Sequence, residues 1–175
     1  MPDLITSTQN PLVKRIRSIK TRKGRQREGS FWAEGIHIVL EALEAEWAVD
    51  RLVWCPDLLT SDAGRAAVED GGCEAVALSE DVFRRVSDRE NPTGLGATIK
   101  MRHKGLGDNN AASQILYILL DRAQDAGNKG ALIRTAGAAG AGAVVRVGPL
   151  GELAHVLQPA AAVDALQQAQ VPMPE

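Results

Sequence analysis

One segment of the chain combines residue types that could do chemistry on an anionic ligand. In residues 119–135, glycines, an asparagine and an arginine follow directly on an apolar run. Gly127 and Gly130 allow a ligand to approach the backbone closely, and exposed N–H groups at a helix start favour an anion such as a phosphate. Asn128 and Arg134 are six residues apart, less than two helical turns, so both could border one pocket. The alternative is that Asn128 only caps the helix and Arg134 only pairs with a surface acid.

The elements around this segment predict how it is positioned. Residues 115–120 are continuously apolar, as in a strand that is buried on both faces of a parallel sheet. A loop over residues 121–128 leads to a helix containing Leu132 and Ile133, and residues 143–147 form the next strand. This order predicts a βαβ unit with a right-handed crossover. The carboxyl ends of its strands are where α/β proteins place their sites.

The first hundred residues predict a separate α/β domain. Asn10 and Pro11 form a helix start, after which Leu12, Ile16 and Ile19 fall on one face. Further predicted strands cover residues 31–33, 49–55, 74–78 and 95–100, and further predicted helices cover residues 36–47, 59–69 and 79–86. Alternating strands and helices are typical of a layered α/β domain. The polar, Gly- and Asn-containing residues 103–113 predict a linker.

A strongly basic stretch lies near the start of the chain. The formal net charge is -2, but residues 1–30 hold eight basic and two acidic side chains, so the remaining residues carry -8. The basic residues are Lys14, Arg15, Arg17, Lys20, Arg22, Lys23, Arg25 and Arg27. The first three lie off the apolar stripe of the predicted helix, and residues 20–27 are predicted to continue as a loop. A basic arm on an acidic body usually marks a polyanion site, the alternative being a solvated helix face.

Composition and spacing argue against several classes of protein. No apolar run reaches the roughly 20 residues that span a bilayer, and residues 1–10 lack the apolar core of a secretory signal. Cys55 and Cys73 have no metal or redox spacing, and the three histidines are scattered. We therefore expect a cytoplasmic protein with ordinary reduced thiols and no metal site.

Several segments together carry a resemblance to a known family. The longest reads Asp-Arg-Ala-Gln-Asp-Ala-Gly-Asn-Lys-Gly-Ala-Leu-Ile-Arg-Thr-Ala over residues 121–136. The others are residues 5–7 with 10–14, then 31–35, which read Phe-Trp-Ala-Glu-Gly, and 91–95, which read Asn-Pro-Thr-Gly-Leu. The first resembles the initial motif of the SpoU (TrmH-type) RNA 2′-O-ribose methyltransferases. The others are similar to the substrate-binding domain that often precedes their catalytic domain, so the resemblance covers about residues 4–148.

The resemblance implies a fold and a division of the chain. The fold would be α/β, with a small α/β sandwich that binds RNA over residues 1–102. A linker over residues 103–113 would lead to the first βαβ part of a SpoU-type knotted methyltransferase domain over residues 114–175. The eight basic residues above would contact RNA, with ribosomal RNA favoured over transfer RNA by the size of the first domain. The family also implies a homodimer and S-adenosylmethionine as methyl donor.

The resemblance also assigns roles to Asn128 and Arg134, which match motif positions at the ribose site. Arg134 would be the proposed activator of the ribose 2′-hydroxyl. A guanidinium with a pKa above ~12 is a poor general base. Binding the adjacent phosphate, or stabilising the developing alkoxide, is chemically easier for it.

The sequence departs from the family pattern in three places. Ala126 stands where the family usually has Pro, and Gly137 stands where it has Asp. After Gly148 we find neither of the later motifs that hold the cofactor, so no cofactor-binding residue is named. We expect no further strand in residues 149–175, a short helix at 160–170, and strands 115–120 and 143–147 without sheet neighbours. The alternative function is therefore an RNA-binding module with a catalytic remnant, inactive alone.

Overall fold

The chain forms two units, Met1–Met101 and Arg102–Glu175. The computed structural model describes residues 4–70, 72–102, 117–121, 126–139, 141, 143–147 and 153–157. The linker predicted over residues 103–113 lies outside the described residues.

A four-stranded sheet with helices organises the first unit. Its helices are α1 (Pro11–Ile19), α2 (Arg22–Glu28), α3 (Ile36–Glu44), α4 (Asp62–Glu69) and α5 (Glu80–Val86), and its strands are β1 (Ser30–Glu34), β2 (Val49–Trp54), β3 (Ala75–Ala77) and β4 (Leu95–Lys100). The strand order is β1-β4-β2-β3, with β4 antiparallel to both of its neighbours and β2 parallel to β3. Ile5 continues the sheet beside β3 through a parallel bridge to Leu78.

The first helix begins as the sequence predicts, but the segment after it does not form the expected loop. The side chain of Asn10 accepts a hydrogen bond from the Leu12 N–H at 2.9 Å, which satisfies one of the free donors of the first turn. Residues 22–28 form α2, capped by Thr21, whose side chain accepts from the Gly24 N–H. The prediction of a loop was therefore wrong, although glycine has a low helix propensity. Gly24 is instead the point where α2 packs on α1: a Cβ there would lie 1.9 Å from the Ser18 carbonyl oxygen.

Side chains of the sheet alternate between two helical layers. On β1, Trp32 belongs to the core cluster formed with α1 and α5, whereas Phe31 makes an edge-to-face contact with Trp47, with ring centroids 5.9 Å apart. On β2, Val53 packs into the α1 and α5 cluster, whereas Leu52 lines a groove beside α3 and α4. Because successive strand residues point to opposite faces, the two helical layers lie on opposite sides of the sheet.

Other predicted elements of the first unit form, with shifted ends. The helix expected over residues 59–69 begins at Asp62, because the side chain of Ser61 accepts from the Gly64 N–H at 3.3 Å and caps it. The helix expected over residues 36–47 ends at Glu44. The buried core on the α1 and α5 side includes Leu12, Val13, Ile16, Ile19, Val82, Phe83 and Val86.

The second unit contains the predicted βαβ arrangement. Its described elements are β5 (Tyr117–Asp121), α6 (Ala126–Ala138), β6 (Ala143–Val147) and β7 (Leu153–Leu157). Strands β5 and β6 are parallel neighbours, which confirms the predicted unit. Leu120, Ile133, Ala136, Ala141 and Val144 form its buried cluster, and Leu119 and Leu132 are exposed.

The expectation that no strand follows residue 149 was wrong. Strand β7 pairs antiparallel with β6, placing Val144 opposite Leu157 and Val145 opposite Val156. Strand β6 therefore has a neighbour on each side, contrary to the expected isolation of residues 143–147. The local signal was weak because His155 interrupts the apolar pattern, and strand formation depends strongly on pairing with a neighbour. The helix expected at residues 160–170 lies outside the described residues.

The described helices are short. The longest of them, α6, has 13 residues. Within the described part of the chain, none is long and apolar enough to cross a membrane, and no group of three or more His, Cys, Asp or Glu is placed to hold a metal ion.

Candidate nucleic-acid interface

Four cations of α1 and α2 share one exposed surface. Lys14 and Arg17 are exposed and one turn apart on α1. Arg27 of α2 donates a hydrogen bond to the hydroxyl oxygen of Ser18 at 3.0 Å, which places it beside them. Lys23 is exposed one turn before Arg27. We call Lys14, Arg17, Lys23 and Arg27 the basic surface.

Three of these cations are available to an external anion. Among the described residues, no hydrogen bond or ion pair engages the side chains of Lys14, Arg17 and Lys23. Arg27 is different, because it also lies 2.9 Å from the Glu28 carboxylate. Unpaired exposed cations on adjoining helices can each bind a phosphate without first breaking an internal contact.

Arg15 and Lys20, which the sequence predicted to contact RNA, instead bind groups of the protein. Arg15 donates to the Asp50 carboxylate of β2 at 2.5 Å. This hydrogen bond lowers the pKa of the Asp50 carboxyl below its ordinary value, and the positive charges of Arg15 and Arg51 act in the same direction. The Lys20 ammonium lies 2.6 Å from Asp88 and donates to a carbonyl at the end of α5.

Arg25 lies inside the layer. Its side chain is only 6 % exposed, and its guanidinium donates to the carbonyl oxygens of Lys20 at 2.7 Å and Ile19 at 3.5 Å. It thereby satisfies free carbonyls at the end of α1. Burial lowers its pKa. Arg22, the last of the eight predicted residues, is half-buried.

The sequence reasoning missed a cation on α5. Arg85 is exposed in the last turn of that helix. Because the Lys20 ammonium bonds to the Val86 carbonyl oxygen at 2.7 Å, the end of α5 lies against α1. Basic residues in the last turn of a predicted helix were the available signal. Arg84 beside it pairs with Glu80 at 2.8 Å.

Two of the segments that carry the family resemblance meet in the structure. The Gly35 N–H donates to the Leu95 carbonyl oxygen at 2.9 Å, joining residues 31–35 to 91–95. Buried Glu34 accepts hydrogen bonds from the Ser87 hydroxyl at 2.5 Å and from the Asp88 N–H at 3.0 Å.

Gly35 is required at this junction because its φ of 121° lies in the region that favours glycine. A Cβ at this position would lie 2.9 Å from the Arg89 guanidinium, the flexible end of a side chain that can move aside. These motif residues therefore build the scaffold behind the basic surface.

Asn128 and Arg134 both lie on α6. The helix begins at Ala126, so Asn128 is its third residue and not the residue that caps it. Arg134 is exposed. Six residues correspond to about 120° around a helix and about 9 Å along its axis, so the two positions do not share one stripe of α6. Residues 122–125, which precede the helix, lie outside the described residues.

Family comparison identifies the class of the first unit. The family described as MRM3-like substrate binding domain matches residues 10–97, which begin at the Asn10 cap and include the basic surface and the Glu34 junction. The chain therefore belongs to the SpoU-type RNA methyltransferase family, with an MRM3-like substrate-binding domain.

Individual relatives agree with this assignment. The chain is 36% identical over 142 residues to the 23S rRNA (guanosine(2553)-2′-O)-methyltransferase RlmP of Bacillus subtilis, covering 81% of this chain and 53% of the relative. The AdoMet-bound rRNA methyltransferase from Sinorhizobium meliloti is 31% identical, with a TM-score of 0.71, over 98% of this chain and 63% of that one. The SpoU methyltransferase AviRb of Streptomyces viridochromogenes, 22% identical, shares the fold with a TM-score of 0.73 over 95% of this chain and 62% of that one. The chain spans about half the length of the curated relatives it matches.

The solved structures from Sinorhizobium meliloti and Streptomyces viridochromogenes contain S-adenosylmethionine. A parallel sheet places ligands beyond the carboxyl ends of its strands. In this chain β5 and β6 are followed there by residues 122–125 and 148–152, which lie outside the described residues. No cofactor-binding residue is therefore assigned.

Proposed function

We propose that this chain provides the RNA-binding part and the first part of the catalytic domain of an S-adenosylmethionine-dependent RNA 2′-O-ribose methyltransferase. The observation that carries the proposal is the exposed basic surface within the region that matches the substrate-binding family. S-adenosylmethionine, when bound, would supply an electrophilic methyl group to a ribose 2′-oxygen.

The proposed substrate is ribosomal RNA rather than transfer RNA. Support comes from the 23S rRNA named for the relatives in Bacillus subtilis and Streptomyces viridochromogenes. The proposed RNA contacts are fewer than the eight residues that the sequence predicted. They are Lys14, Arg17 and Lys23, with Arg27 beside them, because Arg15, Lys20 and Arg25 already bind groups of the protein.

At the ribose we propose that Asn128 and Arg134 act together with residues outside α6, since the helix alone separates them. Arg134 would bind the phosphate next to the target ribose or stabilise the developing alkoxide, as a permanently charged guanidinium can do. A dimer, as the family resemblance implies, would be one source of the additional residues.

Binding of a structured 23S rRNA fragment across a salt series tests the RNA contacts. Each lost phosphate contact lowers the slope of log affinity against log salt by about 0.7–0.9. We expect Lys14→Ala, Arg17→Ala and Lys23→Ala together to lower the slope by about 2. Arg65→Ala, which removes an exposed cation from α4 in the opposite helical layer, is the control for loss of a positive charge and should leave the slope unchanged. An unaltered slope in the triple variant would contradict the proposed surface.

Methyl transfer tests the catalytic part separately. The full chain is incubated with radiolabelled S-adenosylmethionine and the same RNA, and label at a ribose 2′-oxygen is measured after nuclease digestion. Transfer that is lost in Arg134→Ala while RNA affinity is retained supports the proposed ribose site. RNA binding without transfer supports the alternative, an RNA-binding module with a catalytic remnant.

A further inference from the structure

The helical layer opposite the basic surface contains a groove with a different chemistry. It lies between α3 and α4, has a volume of about 540 Å³, and ends at the turn before β3. Leu40, Leu43 and Trp47 line one side and Leu52 the floor, and Ala63, Ala66 and Ala67 line the α4 side.

The α4 side of the groove is flat and accessible. Ala63, Ala66, Ala67 and Asp70 recur at helical spacing along one face, and the first two alanines are exposed. Because this face carries no large side chain, a docked element can approach the α4 backbone closely. The leucines opposite are half-buried and offer apolar surface to it.

The charge around the groove specifies its occupant. Residues 41–74 contain nine acidic side chains and two basic ones, and one of the nine, Asp50, is paired with Arg15 of α1. Asp70 lines the groove itself, and Glu44 and Glu69 are exposed on the two helices that form it. Both basic residues already bind groups of the protein: Arg51 pairs with Glu74 at 2.9 Å, and Arg65 donates to the Leu59 carbonyl oxygen at 2.8 Å. An apolar groove inside an acidic rim complements an apolar segment flanked by lysine or arginine.

We propose that the groove between α3 and α4 binds a basic, amphipathic segment of a partner protein. Apolar side chains of that segment enter between Leu40, Leu43 and Ala66, and its lysines or arginines face Asp70, Glu44 and Glu69. The same acidic rim repels RNA. It also disfavours a dimer formed through this face, because the acidic layers of the two copies would repel each other. Residues 150–175 contain no Lys or Arg, so they do not have the required chemistry.

Cys73 offers a direct measurement of occupancy in the full chain. It lines the groove and is half-exposed, whereas Cys55 is fully buried. Burial also raises the pKa of the Cys55 thiol, which lowers its reactivity. The rate of alkylation by N-ethylmaleimide, followed by mass spectrometry, therefore reports on Cys73.

Three peptides of about 14 residues, four helical turns, separate the contributions of charge and apolar surface. One places Leu at core positions and Lys elsewhere, the second has Glu in place of Lys, and the third has Lys but no Leu. We expect the Leu/Lys peptide to slow alkylation about tenfold at nine-tenths occupancy, since only the free protein reacts. The other two peptides, and the rRNA fragment, should leave the rate unchanged.

A variant pair ties the protection to the groove. Ala66→Arg adds bulk and positive charge to the α4 face and should abolish protection by the Leu/Lys peptide. Gln26→Arg adds the same charge at an exposed position of α2, and protection by the Leu/Lys peptide should be retained. The proposal is overturned by absent protection, by protection that persists in Ala66→Arg, or by equal protection from the peptide without Leu. It is likewise overturned if RNA protects Cys73, or if protein concentration alone slows alkylation, which would identify a second copy as the occupant.

Discussion

The two helical layers of the first unit share one sheet but present opposite charge. The layer of α1, α2 and α5 exposes Lys14, Arg17 and Lys23. The layer of α3 and α4 exposes Glu44 and Glu69 beside an apolar groove. The overall net charge of -2 conceals this separation. Opposed surfaces on a thin domain allow a polyanion to bind one side while a cationic partner binds the other.

The two layers also differ in how tightly their helices meet. In the basic layer, α2 approaches α1 so closely that a Cβ on Gly24 would clash with a backbone oxygen. In the acidic layer, a Cβ on Gly64 would meet side-chain atoms alone, the end of Leu59 at 2.9 Å and of Leu95 at 3.6 Å. The basic surface therefore depends on one close backbone contact, and three substitutions test this difference.

The largest effect is expected for Gly24→Ala. Alanine favours a helix by about 1 kcal/mol over glycine, but its methyl group would lie 1.9 Å from the Ser18 oxygen and force α2 away. Overpacking of this kind costs about 1–3 kcal/mol. Urea unfolding should show the loss, and the RNA salt slope should fall with it. Gln26→Ala, at an exposed position of the same helix, is the control. Unchanged stability would mean that the helices can separate freely.

A smaller, pH-dependent effect is expected for Asp50→Asn. Because Arg15 lowers the pKa of Asp50 in the folded state, the carboxylate stabilises the fold at pH values above its unfolded pKa. That contribution is lost as the pH falls through the folded pKa. For a pair with about a quarter of each side chain exposed, we expect about 0.5–1 kcal/mol at pH 7.

Urea unfolding of the unsubstituted chain and of the Asp50→Asn variant, from pH 7 to pH 2, checks the sign of this effect. The difference in their free energies of unfolding should begin to shrink near pH ~4, the ordinary pKa of an aspartate. A difference that stays constant over this range would assign the effect to hydrogen bonding instead of charge.

The smallest effect is expected for Gly64→Ala in the acidic layer. The gain in helix propensity of about 1 kcal/mol is offset by a shift of the Leu59 methyl group, so the net change should be within about 0.5 kcal/mol. The free energy of unfolding, measured beside that of Gly24→Ala, gives the comparison directly. Equal losses in the two variants would contradict a specific close contact in the basic layer.

Much of the first unit could be predicted from local sequence. The Asn10-Pro11 start and the Leu12, Ile16 and Ile19 stripe specified α1, because capping and periodicity act within a few residues. The loop prediction for residues 20–27 failed, since α2 depends on contact between Gly24 and α1. Strand β7 was missed for a similar reason, because its pairing with β6 is a contact between segments.

The candidate sites, too, were predictable in part from the sequence. Residue types and charge counts identified the basic stretch, but they did not distinguish Lys14, which is exposed, from Arg25, which is buried. Sequence spacing suggested one pocket for Asn128 and Arg134, and this stays a prediction; both positions lie on α6, about 120° apart around its axis.

The sequence by itself determined the family, the order of most elements and the presence of a cationic region, because these depend on residue identity and short-range spacing. Only the tertiary structure decided which cations face solvent, since Asp50, Asp88 and the end of α1 bind Arg15, Lys20 and Arg25. It also decided that α3 and α4 leave a groove between them. The charge of a side chain follows from the sequence, but its exposure and its ion-pair partners depend on which distant residues the fold brings together.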